Sequence, residues 1–280
     1  MHIIICDLIT LKLKLNNVSH KHLNKVSKKR DSIETLFSRL YAKNPNKKVI
    51  QFSNTELKEI TQDTKFMNQF DAVKFDSATK LPNKLREKGY FIVHLGKGNH
   101  AFVKGEGYHK LEKITNIKKV DADEGLLDKI GESEAGAISY IYNTGIIQDF
   151  LGTEKLKIQT ARRSKVSFAF KVNGSKLFAT AQQIEIDGMF ETDDGTIVGV
   201  EAKNEYYGDF EIRQLFNIEK YFEMLIKEGK LPKNTKIRLL FIVRLREKKH
   251  NIFKIYEYRF TNKEDINSIK FVRAVEYQTK

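Results

Sequence analysis

Ile184-Glu185-Ile186-Asp187-Gly188-Met189-Phe190-Glu191 runs into Thr192-Asp193-Asp194-Gly195 and returns as Thr196-Ile197-Val198-Gly199-Val200-Glu201-Ala202-Lys203. Two apolar segments joined by an Asp-Gly turn predict a β-hairpin. Side chains alternate along a strand, so Glu201 and Lys203 share a face. The hairpin carries Asp187 to that face as well. Two carboxylates and an ammonium then meet inside strands otherwise built for burial. Such a cluster costs stability unless it binds something.

The sequence around this stretch reads as α/β. Val166 to Val172 alternates, Asn173-Gly174 is a strong hairpin signal, and Leu177 to Thr180 returns toward Ile184. Arg162 and Arg163 precede this hairpin, either as cations that hold phosphates or as a solvated basic turn. Residues 132–151 read as one helix that Gly145 ends or bends. Glu132 and Glu134 fall in its first turn, where carboxylates complement the helix dipole; the alternative is that one of them faces the acidic site. After Lys203 a helix is expected from about Asp209 to Glu228, with Ile212, Leu215, Phe216 and Phe222 on its apolar face and Gln214 in its second turn. Ile237 to Val243 is almost continuously apolar, as a central strand requires. Strands over Ile252 to Phe260 and Ile269 to Tyr277 complete this half.

Residues 32–117 read as a smaller α+β unit. Ile33 to Tyr41 is helical, Val49 to Phe52 is a short strand, and Ser53-Asn54-Thr55-Glu56 fits a capping box before the next helix. A short helix is expected over Thr64 to Phe70. Another runs from about Thr79 to Lys88, with Pro82 in its first turn and Gly89 as its stop. Tyr90 to His94, a loop at Gly96-Lys97-Gly98-Asn99, and His100 to Lys104 form a hairpin signal. Helices followed by a hairpin resemble a winged helix-turn-helix, with Asn83, Lys84, Arg86 and Lys88 on the recognition helix and Lys97 on the wing. The competing description is an ordinary α/β subdomain. A composition shift over residues 118–131 suggests a linker, which gives a basic extension over 1–31, a DNA-binding domain over 32–120 and a second domain over 121–280.

The net charge is +14, and it is unevenly placed. Residues 1–30 carry 7 basic and 1 acidic side chains, and residues 31–120 carry 17 and 10, whereas residues 121–280 are almost balanced at 26 and 25. A basic N-terminal half points to a polyanion, nucleic acid first; a Lys-rich surface from an AT-rich genome is the alternative. The 280 residues suit one large domain or two ordinary ones, and the 40% hydrophobic, 31% charged composition suits a soluble protein. A single cysteine, Cys6, excludes an internal disulfide framework and a multi-cysteine zinc site, and fits a cytoplasmic location. No apolar run reaches the roughly 20 residues that span a bilayer. Met1 to Leu15 lacks the layout of a signal peptide and is read as a strand or as an extension from an upstream start codon.

Asp187, thirteen intervening residues and Glu201-Ala202-Lys203 suit a divalent cation. Mg²⁺ prefers hard oxygen ligands and is often held by one or two carboxylates. Asp187, Glu201 and the main-chain oxygen of Ala202 supply such ligands, and Lys203 sets a positive charge beside them. At these residues, and in the order of elements over roughly 130–280, the chain resembles the PD-(D/E)XK nuclease superfamily, restriction endonucleases in particular. Ile186 stands where the family name has Pro. The resemblance implies a restriction-endonuclease-like mixed β-sheet core flanked by helices. It implies Mg²⁺ bound by Asp187 and Glu201, a Lys203 that assists attack by water, and products with 5′-phosphate and 3′-hydroxyl ends. By the same resemblance Glu134 is an extra ligand or orienting group and Gln214 an assisting residue. The expected protein is a type II restriction enzyme acting on double-stranded DNA. A homodimer would cut both strands, and a cognate methyltransferase would act on the same site. Other nucleases of the superfamily, for repair, junction or modified-DNA cleavage, an RNA-directed nuclease, and a non-catalytic winged-helix regulator are the alternatives.

Overall fold

Turn chemistry and apolar alternation lay out the frame, which a computed structural model describes for residues 29–61, 69–122, 125–126, 131–247 and 250–279. The expected basic arm as far as residue 28, and the helix expected over Thr64 to Phe70 as far as residue 68, lie outside the described residues. In chain order the N-terminal part has helix α1 over 29–43, β1 (Val49–Ser53), α2 (Asn54–Thr61), α3 (Gln69–Ala72), a 3-10 turn (Ala78–Lys80), α4 (Asn83–Lys88), β2 (Tyr90–Gly96) and β3 (Asn99–Lys104). Then come β4 (Tyr108–Lys110), β5 (Ile117–Val120), α5 (Glu134–Asn143), α6 (Ile146–Leu151), β6 (Leu156–Val172) and β7 (Ser175–Thr192). β8 (Ile197–Lys203), β9 (Asp209–Glu211), α7 (Arg213–Lys227), β10 (Ile237–Glu247), β11 (His250–Phe260) and β12 (Ile269–Thr279) complete the chain.

The result is a mixed α/β fold. Three sheets form among the described residues: β1-β3-β2, the seven-stranded β5-β12-β11-β10-β8-β7-β6, and the pair β4-β9. The apolar strand β10 is central in the large sheet, parallel to β8 and antiparallel to β11. Buried Leu215, Phe216, Ile218 and Phe222 of α7 belong to the apolar cluster on one face of that sheet. Ile138, Ile141, Ile147 and Phe150 of α5 and α6 cover the other, over Val198, Val200 and Ala202. Gly199 is what lets α7 come so close, because a Cβ there would lie 2.3 Å from Ile218 Cγ2.

Several elements depart from the sequence reading, each for a local reason. β6 starts at Leu156 rather than Val166, because it is the sheet's edge strand and its polar outward positions hide the alternation. Arg162 and Arg163 therefore do not precede the hairpin; they lie within β6, opposite Ile186 and Glu185. Gly145 ends the first part of the 132–151 helix, as expected, and the rest forms α6 after α5. Asp209–Glu211 pairs with β4, so the following helix starts at Arg213 and puts Gln214 in its first turn, not its second. Pro82 caps α4 from outside, and the expected helical start at Thr79 belongs to the 3-10 turn. Residues 118–120, expected in the linker, form part of edge strand β5 beside β12. The capping box is present: Ser53 N–H donates to Glu56 Oε2 at 2.8 Å, and Glu56 N–H to Ser53 Oγ at 3.4 Å.

The N-terminal elements and the large sheet are welded together. Ile33, Phe37, Leu57, Leu85 and Phe102 belong to the same buried cluster as Phe170, Leu177, Phe216 and Tyr258. Arg30 of α1 donates to the carbonyls of Thr79, Lys80 and Leu81, so the end of the expected basic arm is structural. No helix among the described residues is long and apolar enough to cross a membrane.

The β2–β3 turn docks on the β6–β7 ribbon at one tight point. Gly96 has φ +78, and a Cβ there would lie 2.0 Å from the carbonyl oxygen of Thr180. Gly96→Ala should therefore combine backbone strain with a clash that only main-chain movement relieves. The expected loss is about 2–4 kcal/mol, read as a lower urea midpoint with an unchanged slope.

Candidate active site

The β7–β8 ladder ends at the pair Gly188 and Val200. One residue further, Asp187 Oδ2 accepts the Ala202 N–H at 2.8 Å, so a carboxylate takes the place of a main-chain partner. β8 continues beside β10 as far as Lys203 opposite Val243, while β7 departs. The gap opens into a cavity of about 170 Å³ lined by Asp187, Glu201, Lys203, Glu134 and Gln214 among others. A strand residue directs its N–H and C=O toward the same neighbour, so the Ala202 carbonyl also faces the Asp187 side.

One oxygen organises the cluster. Glu201 Oε1 accepts from Lys203 Nζ at 2.7 Å and from Gln214 Nε2 at 2.8 Å. Lys203 Nζ also donates to Glu134 Oε1 at 3.0 Å. Burial opposes the Lys203 charge, but Glu201 and Glu134 outweigh it and hold the ammonium above the ordinary lysine range. Burial pushes the Glu201 carboxyl up, against the pull of Lys203 and with the help of Asp187. Asp187 is raised for the same first reason, with the Ala202 hydrogen bond opposing. Gln214 Oε1 is buried without a hydrogen-bond partner among the described residues.

Surrounding groups fix this geometry. Ser133 caps α5 by accepting the Gly136 N–H, which holds Glu134 in the first turn. Glu134 thus meets both expectations, at the helix N-terminus and on the site. Arg244 and Arg246 donate to the carbonyl of Gly131, and Asn204 Nδ2 to that of Glu132, which tie the segment before α5 to the ends of β8 and β10. Arg213 grips Glu211 through Nε at 2.7 Å and Nη2 at 2.8 Å, anchoring the start of α7.

All five residues expected at the catalytic site, Asp187, Glu201, Lys203, Glu134 and Gln214, line this one cavity. The basic residues expected to contact DNA are spread more widely. Lys84, Arg86 and Lys88 are exposed on α4, where Lys84 Nζ is 3.9 Å from Glu34 and 3.2 Å from Ser38 Oγ, and Lys88 lies over Tyr41. Lys97 is exposed on the β2–β3 turn. Arg162 sits over the Tyr221 ring, and Arg163 pairs with Glu185 at 3.0 Å on the rim of the cavity. The cavity also takes in Lys74, Asp76, Gln183, Glu185, Arg213 and Asn217, which the sequence reading missed. Alternation from Asp187 back through Glu185 to Gln183 is a signal that could have found two of them.

The donor set fits a hard divalent cation. Among the described residues five carboxylates (Asp76, Glu134, Glu185, Asp187, Glu201) face three cations (Lys74, Lys203, Arg213) around this cavity. Asp187, Glu201 and the Ala202 carbonyl offer oxygen donors side by side, and the partnerless Gln214 Oε1 lies next to them. Among the described residues no three His, Cys, Asp or Glu side chains are placed to hold a metal ion together, so a bound cation would rely on the Ala202 carbonyl and on water or phosphate for its remaining ligands.

No curated protein and no solved structure matches the chain. Residues 30–102 match a domain of unknown function (DUF6996), which contributes Lys74 and Asp76 to the cavity. The other cavity residues lie in the longer match over residues 103–278, and by that match the chain belongs to the family described as domain of unknown function (DUF6997).

Proposed function

We propose that this chain is a Mg²⁺-dependent DNA endonuclease of the PD-(D/E)XK type, acting as a type II restriction enzyme on double-stranded DNA in the cytoplasm. The observation that carries this reading is the shared Glu201 oxygen. Lys203 and Gln214 both bind it, Lys203 also binds Glu134, and Asp187 stands on the adjacent strand. A buried carboxylate-rich cluster of this kind is a poor way to stabilise a fold and a good way to receive a cation and a phosphate.

Asp187, Glu201 and the Ala202 carbonyl would hold the ion. When bound, Mg²⁺ supplies a Lewis acid for the phosphoryl oxygen and lowers the pKa of coordinated water. Lys203 enters as an ammonium, so its part is to donate to a phosphate oxygen and to place the attacking water. Gln214 fixes Glu201 through Nε2 and leaves Oε1 to accept a hydrogen bond from that water. Glu134 steadies Lys203 from the far side of the sheet. Attack on phosphorus breaks the P–O3′ bond and leaves 5′-phosphate and 3′-hydroxyl ends.

The order α1-β1-α2-α3-α4-β2-β3, with a 3-10 turn before α4, and the sheet β1-β3-β2 support a winged-helix reading of the N-terminal half. α4 then enters the major groove with Lys84, Arg86 and Lys88, and Lys97 on the turn reaches the backbone. Cutting both strands calls for two such cavities, which a homodimer supplies. A restriction role further implies a methyltransferase that protects the same site.

Asp187→Asn retains an oxygen for the Ala202 N–H, whereas Asp187→Ala leaves that donor unpaired at a cost of about 1–3 kcal/mol. Asp187→Asn and Lys203→Ala should each lower Mg²⁺-dependent plasmid cleavage by at least about 100-fold, the Asn variant without loss of thermal stability. Cleavage that survives both substitutions removes this cavity as the active site. Binding without cleavage by the wild type would favour a non-catalytic regulator.

Replacing Lys84, Arg86 and Lys88 together by Ala should flatten the plot of log affinity against log salt by about 2–3 units, one for each lost phosphate contact. An unchanged slope would put the DNA contacts elsewhere.

A further inference from the structure

Among the described residues, α7 brings three polar side chains to the cavity: Arg213, Gln214 and Asn217. They occupy positions i, i+1 and i+4 of the helix, so Asn217 neighbours both of the others, with Cβ atoms about 5–6 Å apart. Gln214 donates to Glu201, which fixes this stretch of helix beside the carboxylates. Asn217 makes no such contact. It is 5% exposed and lines the cavity, and its amide has no hydrogen-bond partner among the described residues.

That is an unfavourable place for an amide. Asparagine is a poor helix former, and within a helix it commonly bonds a nearby main-chain group. Leu215, Phe216 and Ile218 on either side of it belong to the apolar cluster under the sheet. A leucine at this position would avoid the loss of stability that a buried, partnerless amide brings. A ligand that pairs with the amide would account for its presence.

Arg213 offers a second open donor. Its Nε and Nη2 are held by Glu211, and Nη1 has no bond among the described residues. No side chain caps the start of α7 at Ile212, and the positive end of the helix dipole lies at this same turn. The cavity residues therefore divide by element. β7 and β8 supply Glu185, Asp187 and Glu201, whereas α7 supplies hydrogen-bond donors and no carboxylate.

We propose that Arg213 Nη1 and Asn217 Nδ2 form an anion subsite in this cavity, which holds one non-bridging oxygen of a DNA phosphate while the other faces the cation at Asp187 and Glu201. Such an oxygen only accepts hydrogen bonds, and both groups donate. The subsite rests on the reading of the chain as a DNA nuclease, but phosphate binding is measured without cleavage.

Leucine branches at Cγ as asparagine does, so Asn217→Leu removes the amide and leaves Arg213 in place. Inorganic phosphate, titrated by calorimetry into the full chain with Mg²⁺ at constant ionic strength, should bind the wild type at one site and the Leu variant at least about tenfold more weakly. Freed of a partnerless amide, the Leu variant should also melt about 2–4 °C higher. An asparagine with a purely structural task would give the opposite pair, unchanged phosphate binding and a lower melting temperature, and that result overturns the proposal. Asn217→Asp keeps the outline of the side chain and sets a negative charge at the subsite, so it should abolish phosphate binding. An Asp variant that binds phosphate as the wild type does, or a wild type that binds none, overturns the proposal as well.

Duplex DNA with Ca²⁺ separates a backbone phosphate from a free one, and its affinity should fall about tenfold in the Leu variant. Loss of inorganic phosphate with unchanged duplex affinity assigns the subsite to free phosphate or a mononucleotide and overturns the DNA assignment. Phosphate binding that depends on Asn217 in a chain that never cleaves DNA leaves the subsite standing and removes the nuclease reading. Cleavage by a chain whose phosphate binding ignores both substitutions does the reverse.

Discussion

The hydrogen bond from the Ala202 N–H to Asp187 is the constraint on which the rest depends. A sheet that continued its β7–β8 ladder past Gly188 and Val200 would have no room for a site. By giving the next donor a carboxylate, the chain satisfies Ala202 and ends the ladder in one step. β7 is then released to run with β6 as a two-stranded ribbon, while β8 stays in the sheet beside β10. The cavity lies in the fork, and the β2–β3 turn docks on the ribbon that the fork sets free. A buried donor left unpaired costs about 1–3 kcal/mol, so the fork is stable only while residue 187 keeps an acceptor oxygen.

The charged groups in the fork are held by apolar layers above and below them. α7 packs over Gly199 on one face of β8, and α5 and α6 pack over Val198, Val200 and Ala202 on the other. These layers supply the hydrophobic stabilisation that a cluster of buried charges does not. They also exclude water from Glu201, which is why its carboxyl is raised even with an ammonium 2.7 Å away. Burial and proton affinity are therefore coupled here: the helices that secure the sheet also raise the carboxyl of Glu201.

How much of this was legible depended on the range of the interactions. The period of two and the Asp-Gly turn put Asp187, Glu201 and Lys203 on one face, because alternation and turn preference are local. Glu134 was left between two roles and serves both, since a carboxylate in the first turn of α5 can complement the helix and reach Lys203. Gln214 was one turn out because Asp209–Glu211 pairs with Tyr108–Lys110, a distant contact with no local signal. Arg162 and Arg163 were misplaced because an edge strand spends its outward positions on polar residues and so looks like a loop. Lys74 and Asp76 reach the cavity from the other half of the chain, which no spacing near Asp187 predicts.

The distribution of charge also explains why a cation belongs in the proposed chemistry. Residues 31–120 carry an excess of seven positive charges and would draw a polyanion to the molecule. That attraction is screened over about 8–10 Å in physiological salt, so it acts on the duplex as a whole and not on one phosphate inside a cavity. At the cavity the balance reverses, with five carboxylates against three cations. Two like charges 4 Å apart repel by about 4 kcal/mol at an effective dielectric constant near 20. A phosphodiester steered in by the basic half would thus be turned away by the acidic one. A divalent ion between Asp187 and Glu201 would cancel that excess of two negative charges and remove the repulsion. Lys203 alone does not, because its ammonium is already committed to two carboxylates.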